Sequence, residues 1–139
     1  MMIIDAKDLI VGRIATVAAK NALLGQEVMI LNCEKAIITG TKANIVEKFK
    51  RKRSMGTHAV GPFFARTPDR MVKKIIRGML PYKQAKGDAA YKRIKCYNGI
   101  PEAFNGKEII TLVEANVSKM SNLKFMTVGN VAKILGNKD

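Results

Sequence analysis

Apolar positions follow two rhythms along this chain, and the changes of rhythm mark its elements. The opening "MMIID" is a short apolar run of buried-strand character. In "LIVGRIATVAAKNALLG", Ile10, Ile14, Val17, Ala18 and Leu24 recur at near-helical spacing, Ala is frequent, and Gly25 is a natural stop. "EVMILNC" returns to continuous apolar character over a strand length, and "KAIITG" adds a short strand ending at Gly40. Strand, helix and strand, with the strands apolar throughout, predict a parallel sheet covered on both faces.

Thr41 can cap the next helix, "KANIVEKFKRKR". Ile45, Val46 and Phe49 fall on one side of it, and Lys48, Arg51 and Lys52 toward another. "SMGTHAVGPFFA" is irregular, with two Gly and a Pro. "RTPDRMVKKIIRGMLP" is the best-marked helix: Thr67 at the N-cap, Pro68 at the first helical position, Asp69 at the positive end of the dipole. Met71, Val72, Ile75, Ile76 and Met79 form its apolar stripe, and Arg70, Lys73, Lys74 and Arg77 its other face. "YKQAKGDAAYKRIKCYNG" reads as a flexible loop with at most one helical turn, then a strand with Ile94 and Cys96 inward and Lys95 outward. The segments 54–66 and 81–90 are therefore expected to stay open until a partner orders them. Beyond Asn98-Gly99 and Pro101, "KEIITLVEA" is ambiguous between strand and helix, and "TVGNVAKILG" predicts a short capped helix. The expectation is one domain over 1–139, in which the charge-balanced tail over 102–139 packs on or beside the rest.

Charge changes the picture. The chain of 139 residues carries a formal net charge of +14. Sixteen Lys and Arg stand against three acids between Lys42 and Lys95, a net +13, while the flanks hold nine basic and eight acidic residues. Such concentration is the footprint of a polyanion binder. The densest run is "KFKRKR" at 48–53, five basic side chains around one aromatic. Helix-dipole compensation explains one or two of them, not five. The candidate contacts are Lys42, Lys48, Lys50, Arg51, Lys52 and Arg53; His58 and Arg66; Arg70, Lys73, Lys74 and Arg77; and Lys83, Lys86, Lys92 and Arg93.

Other chemistries have little to stand on. The two cysteines, Cys33 and Cys96, are far apart in sequence with no His partner nearby, so they read as free thiols and not as a disulfide framework or a zinc site. No G-x-G-x-x-G follows the first strand, and "GTKANI" lacks the glycine pair and G-K-[ST] ending of a P-loop. His58 is the only histidine and has no carboxylate pair beside it in sequence. No catalytic, metal or cofactor site is expected, and no small-molecule substrate. Asp5 and Lys7 interrupt the N-terminal apolar run, so no signal peptide or membrane partner is expected and the compartment reads as cytoplasmic. Aromatics make up only 6%, too few for an obvious base-stacking platform, whereas Lys and Arg on a rigid surface with loops suit folded RNA. A stand-alone RNA- or DNA-binding protein, and a nucleotide-dependent enzyme on a related α/β fold, remain the alternatives.

"IDAKDLIVGRIAT", "VMILNCEKAIITGTK", "RTPDRMVKKIIRGMLP" and "RIKCYNGIP", in this order and spacing, resemble the large-subunit ribosomal protein L-thirteen family over about residues 2–101. The chain looks like the archaeal form, starting almost at the first strand and reading "YNGIP" where bacterial members usually have a histidine-containing end. The resemblance implies a three-layer α/β/α fold with a four-stranded parallel sheet. It also implies structural binding to large-subunit (23S) rRNA during and after assembly, neighbouring large-subunit proteins as partners, and no enzymatic activity. The family's RNA-facing regions carry over to Gly12 and Arg13, segment 41–53, the Gly56–Arg66 loop, and Arg77 through Lys86. Arg13 comes from the resemblance alone.

Overall fold

The computed structural model describes residues 1–121 and 123–136. In chain order its elements are β1 (Met2–Asp5), α1 (Val11–Leu23), β2 (Val28–Leu31), β3 (Ile37–Thr39), α2 (Lys42–Ser54), α3 (Pro68–Gly78), α4 (Ala85–Arg93), β4 (Ile94–Cys96), β5 (Phe125–Thr127) and α5 (Val128–Ile134). The fold is α/β, as expected, but its sheets are not.

β1, β2 and β4 form a three-stranded parallel sheet with β2 in the middle. All four residues of β2 are buried because both faces are covered, which is why its sequence is apolar without alternation. One face carries Ile4, Val28, Ile30 and Ile94 into the main core beside Ile14, Met71, Val72 and Ile76 of the helices. Ala15, Ala18, Ala19 and Ala22 line the buried side of α1, and their small size lets α3 and α4 lie close against it. The other face holds Ile3, Met29 and Leu31 against Phe104, which arrives on a single 3-10 turn, Glu102–Phe104. So the second outer layer of the expected three-layer sandwich is here a short irregular segment.

The expected four-stranded parallel sheet is also corrected. After β2, Asn32 takes a left-handed conformation (φ 55°), and the 3-10 turn Cys33–Lys35 swings the chain out of the sheet. The Asn32 amide donates to Asp5 Oδ1 at 2.9 Å and fixes the departure. β3 then pairs with β5 in a separate, antiparallel two-stranded sheet. On the free edge of β1, among the described residues, Ile110 alone pairs: its N–H donates to Ile3 O at 2.8 Å, and its carbonyl accepts from Asp5 N at 3.0 Å. A 3-10 turn at Val113–Ala115 follows, so "KEIITLVEA" becomes neither strand nor helix.

The helices confirm the sequence pattern with local shifts. Thr41 caps α2, accepting from Asn44 N at 3.4 Å, and Ile45 and Phe49 are buried. Thr67 stands at the N-cap of α3 but its hydroxyl makes no capping bond; its Oγ1 is buried without a partner among the described residues. Met79 lies past the end of α3 and is 45% exposed, and Leu24, past the end of α1, is 73% exposed, so neither belongs to the core stripe assigned to it. The larger revision is α4, nine helical residues where a flexible loop with a single helical turn was expected. Thr127 caps α5 by accepting from Asn130 N at 3.3 Å, and Val128, Val131, Ala132 and Leu135 join the main core.

Gly87 explains the turn into α4. A Cβ on it would overlap the Pro81 carbonyl and lie 2.8 Å from Tyr82 N, so the backbone of 81–82 passes where a side chain would stand. Helix propensity alone favours Ala over Gly by about 1 kcal/mol. Overlap with backbone outweighs that, and Gly87→Ala is expected to lower stability by about 1–3 kcal/mol. A urea midpoint shifted upward would refute the close approach.

Candidate nucleic-acid interface

Helix geometry sorts the "KFKRKR" run into different directions. At 100° per residue, positions 48 and 52 share a face and position 49 points beside it into the core. Phe49 is buried, and its ring meets Phe64 edge-on with centroids 5.9 Å apart. Lys48 and Lys52 reach into a cleft of about 410 Å³ between α2, α3 and the start of α1, where Lys74 joins them from α3. The Lys52 ammonium lies 5.5 Å from the Phe49 centroid and 5.8 Å from that of Phe64, and the Lys74 ammonium 4.5 Å from Phe64. Desolvation, then repulsion from Lys48 and Lys74, holds Lys52 below the ordinary lysine pKa. Among the described residues no carboxylate pairs with any of the three.

Lys42, Lys50 and Arg51 line the open outer side of α2 together with Glu47. Arg53 turns the other way, and its guanidinium converges with that of Arg66 at Gly136, just past α5: a Cβ there would lie 3.7 Å from both terminal nitrogens of Arg53 and 3.9 Å from Nη1 of Arg66. Arg53, His58 and Arg66 line a second cleft, of about 540 Å³, beside the turn in which Thr57 and Gly61 exchange backbone hydrogen bonds at 3.1 and 2.9 Å. Val60 and Phe63 stand exposed on this turn.

On α3 the basic face divides again. Lys74 belongs to the first cleft; Arg70 and Lys73 line another with Asp69 and with Lys95 of β4. Lys73 lies over the Tyr91 ring at 4.7 Å, and the Arg77 guanidinium over Tyr82 at 4.1 Å. These rings hold the cations in place while leaving their charge unneutralised. Lys83 and Lys86 are exposed at the start of α4. Three predicted contacts have internal uses. Arg13 Nη1 donates to the Glu114 carbonyl at 2.7 Å, Arg93 Nη1 to the Ala22 carbonyl at the end of α1 at 3.0 Å, and Lys92 pairs with Asp88 at 3.0 Å. Lys95 is the basic neighbour that sequence reasoning left out. Its outward position was legible from the alternation of "RIKCY", but its nearness to α3 is a tertiary fact.

The same holds for the cysteines. The Cys33 thiol donates to the Ile30 carbonyl at 3.6 Å, and the neighbouring Cys96 thiol, 63 positions away in sequence, together with burial pushes it far above the ordinary range. Both are free.

In open α/β sheets nucleotides bind beyond the carboxyl ends of the strands. Here that place is filled. Asn32 ties to Asp5, Gly99 N donates to Glu34 Oε2 at 3.0 Å, and α5 packs so tightly on the Cys33–Lys35 turn that a Cβ on Gly129 would lie 2.9 Å from Glu34 O. Among the described residues no helix is long and apolar enough to cross a membrane.

A sequence model described as Ribosomal protein L13 matches residues 1–103. The chain is also similar to the large ribosomal subunit protein uL13 of Methanococcoides burtonii, 44% identical over 138 residues, with 99% of each chain covered. The protein of the same name from Methanosarcina barkeri is 41% identical over 139 residues, again 99% of each. That of Haloarcula marismortui is 38% identical over 135 residues, covering 97% of this chain and 90% of the relative.

Proposed function

This chain belongs to the Ribosomal protein L13 family, and from that premise we propose that it is a structural constituent of the large ribosomal subunit that binds and helps fold 23S rRNA through its Lys and Arg side chains. The observation that carries the reading is the placement of charge. A net +13 lies between Lys42 and Lys95, spread over α2, the 55–66 turn, α3, α4 and β4, and among the described residues Lys92–Asp88 is the one ion pair there. Phosphate contacts of this kind fix register and orientation on a folded RNA and need no base-specific groups. Ring stacking of Lys73, Lys74 and Arg77 lowers the ordering cost of those long side chains before the RNA arrives. Arg93 and Lys92, held internally, contribute least; Arg13 keeps four unused donors for a phosphate beside its bond to Glu114. Neighbouring large-subunit proteins and the ribosome as the working location follow from the same reading.

Co-sedimentation is the direct test. Added to large subunits lacking it, the protein is expected to pellet with them at moderate salt and stay bound through washing. Equal binding to unrelated structured RNA would instead identify a stand-alone RNA-binding protein.

A further inference from the structure

The geometry points to the cleft between the start of α1, α2 and α3 as a receptor for one unpaired nucleotide of the RNA, its phosphate held among Lys48, Lys52 and Lys74 and its base laid on the apolar floor beneath them. This inference rests on the RNA-binding reading and adds a site to it. At about 410 Å³ the cleft has the size of a small-ligand pocket. Its floor is apolar, formed by Ile10, Ile38, Phe64 and Ile75, while its rim is cationic. Neither half explains the other. A surface that only grips phosphates needs no apolar hollow, and a hollow that only completes the core would not gather three like charges at its mouth.

The ammonium groups are also placed, not merely nearby. Lys74 rests on Phe64, and Lys52 stands near Phe49 and Phe64 together, so the rings steer both exposed cations to the mouth of the cleft. Lys52 loses hydration and is repelled by its neighbours, and an arriving phosphate relieves that repulsion. Gly12 also lines the cleft and leaves its wall open: a Cβ there would meet nothing within 4 Å. A stacked duplex cannot present a base to such a hollow, which restricts the occupant to a bulged, looped or turned-out nucleotide.

The test is a titration of the intact, isotopically labelled protein with each ribonucleoside monophosphate and, separately, with inorganic phosphate. The expected result is amide shifts at Gly12, Lys52, Phe64 and Ile75, with at least one nucleotide binding roughly tenfold or more tighter than phosphate, as base stacking implies. The double variant Lys52→Gln/Lys74→Gln loses this binding, whereas Lys42→Gln/Arg51→Gln on the outer side of α2 keeps it. Phosphate binding as well as every nucleotide, or shifts confined to the outer side of α2, overturns the inference. Filter binding to large-subunit rRNA runs in parallel. If rRNA binds and no nucleotide does, the cleft inference falls alone; if neither binds, the proposed function falls with it.

Discussion

Raising the salt from 50 to 200 mM is expected to weaken binding to large-subunit rRNA by about 10³–10⁵-fold, the loss that accompanies 6–10 phosphate contacts. The cause is counterion release, whose log–log slope is about −0.7 to −0.9 per neutralised phosphate. The exposed cations of α2 and α3 are numerous enough to make that many contacts. The triple variant Arg51→Gln/Lys52→Gln/Arg53→Gln should flatten the slope by about two to three units, because the three side chains leave α2 in different directions and cannot all share one phosphate. Each is exposed, so the cost to the free protein should stay under about 0.5 kcal/mol per site. An unchanged slope in the variant would mean that the run is a solvated helix end and nothing more.

The second large effect is the separation of the two faces of α3. Met71 and Ile76 are fully buried in the main core, and truncating either to Ala should cost about 2–5 kcal/mol through the cavity left behind. Ile75 should cost less, since it is only partly buried and lines the cleft. Arg70→Gln and Lys74→Gln should leave the denaturation midpoint nearly unmoved and weaken rRNA binding. Chemical denaturation and filter binding on the same five variants decide the matter. If core and basic variants lost stability and affinity in the same proportion, the division of α3 into a packing face and a contact face would be wrong.

Much of this arrangement was legible along the chain, because local rules govern it. Pro68 and Asp69 mark the start of α3, and the period of Ile45 and Phe49 assigns the buried side of α2. The asymmetry of charge located the candidate interface without any tertiary information. What local rules could not supply was partnership. "KAIITG" has strand character, but nothing in it says that its partner is Phe125–Thr127 and antiparallel. The left-handed Asn32 that redirects it is one polar residue in an apolar run, a weak signal. α4 was missed because Gly87 argues against a helix by propensity, and here close approach to Pro81 is what selects it. Within the interface, composition found the lysines but not their convergence. Lys48, Lys52 and Lys74 meet only because α2 and α3 pack side by side, and Phe64 enters from a segment with no periodicity at all.

The pairing of β3 with β5 also sets a clock on biosynthesis. Residues 37–39 leave the peptidyl-transfer centre roughly 85 residues before 125–127, an interval of roughly 4–17 s at ordinary elongation rates of about 5–20 residues per second. Through that interval the nascent chain carries an unpaired strand and a core still missing Val128, Val131 and Leu135. The entire basic stretch emerges within it. Newly made chains therefore display their polyanion-binding helices before the body that supports them has closed, and a chaperone or an RNA that shields those cations has seconds in which to arrive first.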